Sequence, residues 1–295
     1  MNISQYETFL KTIELGSLTK AAEVLGYTQS GVSHMLNALE SDCGLKLMVR
    51  DRSGVRITAD GQQLLPYFQG ICNGQHNLSE KINEIHTLES GLVRVGTFTS
   101  VSAQWLPGII KRFRGDFPNI QFELLHGTNE EIENWVINGR VDCAFVKIPT
   151  KQQLESIFLR RDPFVAILPE NHILAKEPFL SAAALSEYPY IKLDESVDDG
   201  ITEILESHHI KPNVCFVEKE DYAIIAMVDN GLGISVLSEL VLKDTARKIV
   251  IKDLEFPADR DLGIAVKDKN MLTASAQKFL GYVQLWILEE YGPTP

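Results

Sequence analysis

The stretch TQSGVSHMLNALE, residues 28–40, decides how this chain reads. Thr28 is a good N-cap, and at about 100° per residue Val32, Met35, Leu36 and Leu39 fall on one side of a helix. Gln29, Ser30, Ser33, His34 and Asn37 fall on the other. The outward face has amide, hydroxyl and imidazole groups and no acid, the side-chain types that hydrogen-bond to base edges and phosphates. Taken alone, the segment is also compatible with an ordinary amphipathic helix whose polar face is solvated. Its neighbours decide between the two.

Just upstream, GSLTKAAEVLGY (residues 16–27) supplies the first half of a helix-turn-helix. Ser17 caps a short helix whose apolar side is Leu18, Ala21, Ala22 and Leu25, and Gly26 takes the left-handed conformation that ends it. The small Ala21 and Ala22 let a second helix cross closely at the steep angle of this motif. An earlier helix, with Ile3, Tyr6, Phe9, Leu10 and Ile13 at helical spacing, provides a third wall.

The chain carries a formal net charge of -12, which is awkward for a partner of a polyanion until it is divided at Thr58. Residues 1–58 hold six Lys/Arg and six Asp/Glu; the remainder holds 22 bases against 34 acids. All of the excess acid therefore lies outside the first 58 residues. Four of the six early bases, Lys46, Arg50, Arg52 and Arg56, cluster where Ser53-Gly54 suggests a hairpin turn. A basic hairpin beside a recognition helix is a wing, placed for phosphate or minor-groove contact.

Residues 1–61 resemble the winged helix-turn-helix of the LysR-type transcriptional regulators. The resemblance is carried by FLKTIELGSLTKAAEVLGYTQSGVSHMLNALE, by Gly44 and Leu45, and by LMVRDRSGVRITADG. Ser30 stands where the family often has Pro, His34 where it often has Arg, and Met48 where it usually has Phe. A neutral imidazole at 34 cannot make the bidentate guanine contact of an arginine. The residues expected to meet DNA are Gln29, Ser30, Ser33, His34, Asn37, Arg50, Arg52 and Arg56.

Leu64, Phe68, Ile71, Gln75, Leu78, Ile82 and Ile85 follow at spacings of 4, 3, 4, 3, 4 and 3, a coiled-coil seam with one polar member. Pro66 sits in the first turns of this helix, and Gly70 and Gly74 each lower helix propensity by about 1 kcal/mol, so packing must hold it. That packing is either a second copy or the body of the protein itself. The family places a dimerising linker helix here, which implies a homodimer or homotetramer.

From Leu92 onward, short apolar runs alternate with helical stretches, as in α/β domains with largely parallel sheets. LVRVG, IQFELL, VDCAFV, FVAIL, YPYIKL, VCFVE and GISVL read as strands, with helices at Ile201–Ser207, Asp221–Asn230 and Leu272–Glu290 among others. This resembles the two-lobed, periplasmic-binding-protein-like effector domain of the same family. Gly96, Ser100, Leu106, Pro107 and GLGISVLS stand at its spacing, with Ser238 in place of a frequent Pro.

The expected organisation is a DNA-binding domain over 1–58, a linker helix over 59–89 and an effector domain over 90–295. Hinges near Arg161-Asp162 and Val266-Lys267 would put 90–161 and 267–295 in one lobe and 162–266 in the other. Ligands of open α/β sheets bind beyond the carboxyl ends of strands. There Ser100, Ser102, Thr128, Phe145 and Lys147 are the candidates, with hydroxyls and helix-start N–H groups suited to an anion and Lys147 supplying charge. The hydroxyls are equally explained as caps and the lysine as a surface residue. Asp194, Glu195 and Glu218 approach from the other lobe.

Other chemistry finds little support. Cys43, Cys72, Cys143 and Cys215 form no C-x-x-C pair, and the adjacent His208 and His209 lack further ligands at metal spacing. No phosphate loop, nucleophile elbow or HExxH is present. The expectation is a ligand-responsive transcription factor of the cytoplasm that needs no cofactor and is not an enzyme. It meets operator DNA, a small-molecule effector, its own copies and RNA polymerase, but no membrane. The competing readings are a solute-binding protein and a metabolite-binding protein or enzyme fused to a DNA-binding module.

Overall fold

A computed structural model describes residues 1–51, 54–86, 91–194 and 200–293, and within these every side chain but those of 51, 80, 81 and 83–86. The chain falls into two compact units, the first Met1–Leu88 with Asn138–Arg140 and the second Glu89–Ile137 with Val141–Pro295.

In the first unit, α1 (Ile3–Leu15), α2 (Leu18–Leu25) and α3 (Gln29–Cys43) are each capped by a side chain, from Asn2, Ser17 and Thr28, and each ended by a left-handed glycine, Gly16, Gly26 and Gly44. Local sequence thus sets all six helix ends. Tyr6, Phe9, Ala22, Val32, Leu36 and Leu39 form the core between them, and Ala21 is fully buried as expected of a close helix crossing. The antiparallel hairpin β1 (Met48–Asp51) and β2 (Gly54–Ile57) follows. A Cβ on Gly54 would stand 2.6 Å from the Gly16 carbonyl oxygen, which accepts the Val55 N–H at 2.9 Å, so the wing rests directly on the first turn.

Helix α4 (Ala59–His86) contains Pro66 in its second turn. Its seven expected seam positions do not act together. Phe68 is buried, stacked on Tyr6 at 4.9 Å and edge-on to Phe9 at 5.5 Å, and Leu64 packs against the same core. Those two positions belong to the chain's own interior, because the first turns of α4 roof the three-helix core. Ile71, Leu78 and Ile82 remain 45%, 55% and 47% exposed, and Gln75 is exposed with them. The Ile85 side chain lies outside the described residues.

The second unit begins with β3 (Gly91–Thr97), α5 (Thr99–Gln104), α6 (Leu106–Asp116), β4 (Ile120–His126), α7 (Asn129–Ile137) and β5 (Cys143–Ile148). The long β6 (Glu155–Pro169) comes next, then α8 (Ala182–Glu187), β7 (Tyr190–Leu193), α9 (Ile201–Ser207), β8 (Val214–Glu218) and α10 (Asp221–Asp229). The chain closes with β9 (Ser235–Ser238), α11 (Glu239–Leu242), β10 (Ile249–Lys252), β11 (Asp259–Val266) and α12 (Ala274–Tyr291). Strand β3 is parallel to β4 and β5, but β11 runs antiparallel to β5 and β6, and β6 antiparallel to β9 and β10. The sheet is therefore mixed rather than largely parallel.

The crossings between lobes are strands. Along β6 the partner changes from β11, up to Pro163, to β9 from Phe164. The second crossing lies ahead of Asp259, not near Val266-Lys267, because β11 pairs with β5 and so belongs to the first lobe from its start. Among the described residues lobe 1 is thus 91–163 with 259–293, and lobe 2 is 164–194 with 200–258. The core of lobe 1 gathers Trp105, Phe113, Phe145 and, from α12, Phe279, Val283 and Ile287; lobe 2 has one core on each face of its strands. Among the described residues no helix is long and apolar enough to cross a membrane.

Candidate functional site

On the first unit the polar face of α3 is open. Gln29, Ser30, His34 and Asn37 are exposed and Ser33 is half-buried, while Val32, Leu36 and Leu39 on the opposite face are fully buried. The Arg50 guanidinium reaches across from β1, donating from Nη1 to Ser33 Oγ at 2.8 Å and from Nη2 to Asn37 Oδ1 at 3.1 Å. Wing and recognition helix thus present one surface, with the cation held against neutral acceptors. Arg56 is exposed on β2; Arg52 lies outside the described residues.

Glu40, near the end of α3, is only 6% exposed and fixes that surface. Its Oε1 accepts the N–H groups of Leu47 and Met48 at 2.8 and 3.2 Å, and its Oε2 pairs with Lys46 at 2.7 Å. Burial alone would raise the Glu40 carboxyl, but the Lys46 ammonium and the two N–H donors outweigh it and hold the group below its usual range.

On the second unit the cleft between the lobes opens into two chambers of about 280 Å³ each, with Asn129 lining both. Thr99, Ser100, His126 and Thr128 of lobe 1 face Lys219 and Asp221 of lobe 2 in the first chamber. Lys147 lines the second, paired across the cleft with Glu203 of α9 at 3.1 Å. The expected effector residues are therefore divided. Ser100 and Thr128 reach one chamber and Lys147 the other, and Thr128 Oγ1 also caps α7 by accepting the Glu131 N–H at 3.3 Å.

Ser102 and Phe145 line neither chamber. The Ser102 hydroxyl donates to Thr97 Oγ1 at 3.1 Å, and Phe145 is fully buried edge-on to Trp105 at 6.1 Å, on the sheet face that α6 and α12 cover. Of the acids expected from the second lobe, Glu218 Oε1 accepts the Lys219 N–H at 2.7 Å, the Asp194 N–H pairs with the Glu218 carbonyl, and Glu195 lies outside the described residues.

Behind the first chamber is a buried ion pair that the sequence did not signal. Arg260 of β11, 3% exposed, donates from Nε and Nη2 to Asp162 Oδ2 at 2.9 and 2.7 Å and from Nη2 to Ser100 Oγ at 2.8 Å. Asp162 Oδ1 accepts the Leu240 N–H at 3.0 Å. The rings of Phe98 and Phe164 lie 5.3 and 5.7 Å from the guanidinium. One charge pair thus ties α5, β6, α11 and β11 together where the lobes join.

The model of the LysR substrate binding domain matches residues 86–286, and that of the bacterial regulatory helix-turn-helix protein, lysR family, matches residues 3–62. The chain belongs to the LysR family of transcriptional regulators. This regulator is 28% identical over 283 residues to the uncharacterized HTH-type transcriptional regulator YvbU of Bacillus subtilis, a match covering 95% of this chain and 97% of that protein. Its fold is that of a full-length OxyR variant from Pseudomonas aeruginosa, with a TM-score of 0.77, 18% identity and coverage of 98% and 95% of the two chains. CbnR complexed with its target DNA matches with a TM-score of 0.70, 17% identity and coverage of 97% and 100%. The LysR regulator described here thus combines a helix-turn-helix DNA-binding domain with a two-lobed effector-binding domain. Its relatives are named as transcriptional regulators.

Proposed function

We propose that this LysR-type regulator binds an operator through the face formed by Gln29, Ser30, Ser33, His34, Asn37, Arg50 and Arg56. A small molecule bearing an anionic group, held between the lobes, controls it. The observation that carries the DNA assignment is the Arg50 guanidinium laid along the neutral face of α3, a cation hydrogen-bonded to Ser33 and Asn37. The cleft supports the effector assignment, with Ser100 and Thr128 in one chamber and Lys147 in the other. The exposed Ile71, Leu78 and Ile82 support assembly as a homodimer or homotetramer through α4. RNA polymerase is the further partner of such a regulator, and the cytoplasm its place of work.

Salt titration of duplex binding tests the DNA assignment. Arg50→Ala weakens binding to every sequence and makes the log-log salt dependence shallower by about 0.9, the signature of one lost phosphate contact. Gln29→Ala leaves the slope unchanged and alters which bases are preferred, by about 1–3 kcal/mol at the position read. An unchanged slope in Arg50→Ala would remove this residue from the phosphate contacts and with it the division into wing and recognition helix.

A further inference from the structure

The first chamber specifies more than an anion. It holds three carboxylates, those of Glu131, Glu220 and Asp221, against one lysine, Lys219. Glu131 is occupied, its Oε2 accepting the Thr128 N–H at 2.8 Å. Asp221 is half-buried at the start of α10 and lines the chamber opposite Thr99 of the other lobe. The Thr99 hydroxyl lies 3.2 Å from His126 Nε2, within hydrogen-bond distance. Among the described residues no lysine or arginine forms an ion pair with Asp221; the group that favours its charge electrostatically is the His126 imidazole. A carboxylate of four lone-pair sites in this position leaves acceptor capacity facing the chamber.

The opposite wall has the complementary polarity. Ser100 is 4% exposed, and its oxygen accepts from Arg260, a side chain that can only donate. The Ser100 proton is thereby turned away from Arg260, and no acceptor within the protein takes it among the described residues. One wall of the chamber therefore offers a hydroxyl donor backed by a buried cation, and the other a carboxylate that is in no ion pair with a lysine or arginine among the described residues. A plain anion would meet the excess of acid, and a plain amine would leave the Ser100 donor unmatched.

Resting on the proposal that the effector binds between the lobes, we infer that this effector is an α-amino acid, its carboxylate accepting from Ser100 and its ammonium facing Asp221. Arg260 then acts as a positioning residue that sets the direction of the Ser100 hydroxyl without touching the ligand.

The test uses the full chain and each of the twenty L-amino acids, by thermal shift followed by calorimetry. At least one raises the melting temperature in a concentration-dependent way, as a ligand of the folded state must. Its 2-hydroxy acid analogue and its decarboxylated amine bind at least about tenfold more weakly, the loss expected for one charge-assisted hydrogen bond. Ser100→Ala and Asp221→Asn each cost a similar factor. Burial lifts the Asp221 carboxyl to about 6, so at pH 7.5 the folded state bears a desolvated charge that Asn removes. Ligand-free Asp221→Asn accordingly melts no lower than the parent at that pH, which separates lost binding from lost folding.

Binding by none of the twenty overturns the inference. A 2-hydroxy acid that binds as tightly as the amino acid, with Ser100→Ala weakening it and Asp221→Asn silent, overturns the ammonium assignment and leaves the cleft reading standing. An amino acid whose affinity neither variant changes overturns the cleft reading itself.

Discussion

Asp162→Ala is expected to destabilise the effector domain by about 3–5 kcal/mol, because it leaves the Arg260 guanidinium buried and without its carboxylate. Against a typical domain stability of about 5–15 kcal/mol this is a large fraction, and part of the population unfolds near physiological temperature. The substitution also strips an acceptor from the Leu240 N–H, so α11 loosens along with the strand crossing. Urea denaturation followed by far-UV circular dichroism measures the loss. Asp162→Asn, which keeps one acceptor oxygen, falls between the two. A loss below about 1 kcal/mol for the alanine variant would mean that the pair is solvated and that the junction of the lobes is held by other contacts.

Leu78→Asp and Ile82→Asp are expected to separate the assembly into monomers and to abolish tight operator binding. Both side chains lie about half exposed on α4 with the core of their own unit elsewhere, so the substitution costs the isolated fold little. Placed against a second copy, each aspartate would be desolvated without a partner. Two recognition helices reach half-sites a helical turn or a multiple apart only while the dimer holds them there, so operator affinity falls with the mass. Light scattering of the full chain reads the mass directly; an unchanged mass would remove the exposed stripe from the interface.

What could be read without the fold was what local sequence determines. The three helices of the first unit carry their caps, their terminal glycines and their apolar faces within their own residues, so Thr28, Ser17 and Gly26 sit where their types require. The same holds for the hairpin and for the buried apolar runs of β3, β5 and β9. The seam failed at Phe68 because a heptad spacing states only that a face is buried, and here Tyr6 and Phe9 supply the partner.

The second lobe crossing failed for a related reason. Strand β11 opens Asp259-Arg260-Asp261, which reads as a solvated turn, yet Arg260 is buried against an aspartate 98 residues away. Strand-end position alone does not say which face of the sheet a side chain takes, and Phe145 points away from the cleft; Ser102 lines neither chamber because its place in α5 turns its hydroxyl back to Thr97. Lys147 does stand at a strand end, but its Glu203 counter-ion comes from the other lobe, a pairing that no spacing along the chain reveals.

The central claim, a regulator that reads DNA sequence through α3 and its wing, is tested most directly by selecting duplexes from a random pool with the full chain and measuring affinity for the enriched sequence against an unselected one at physiological salt. The account predicts a shared two-fold-related motif, with half-sites about one helical turn apart or a multiple of it, bound at least about 10³-fold more tightly than the unselected duplex. Enrichment of no common motif, with equal affinity for both duplexes, would contradict it.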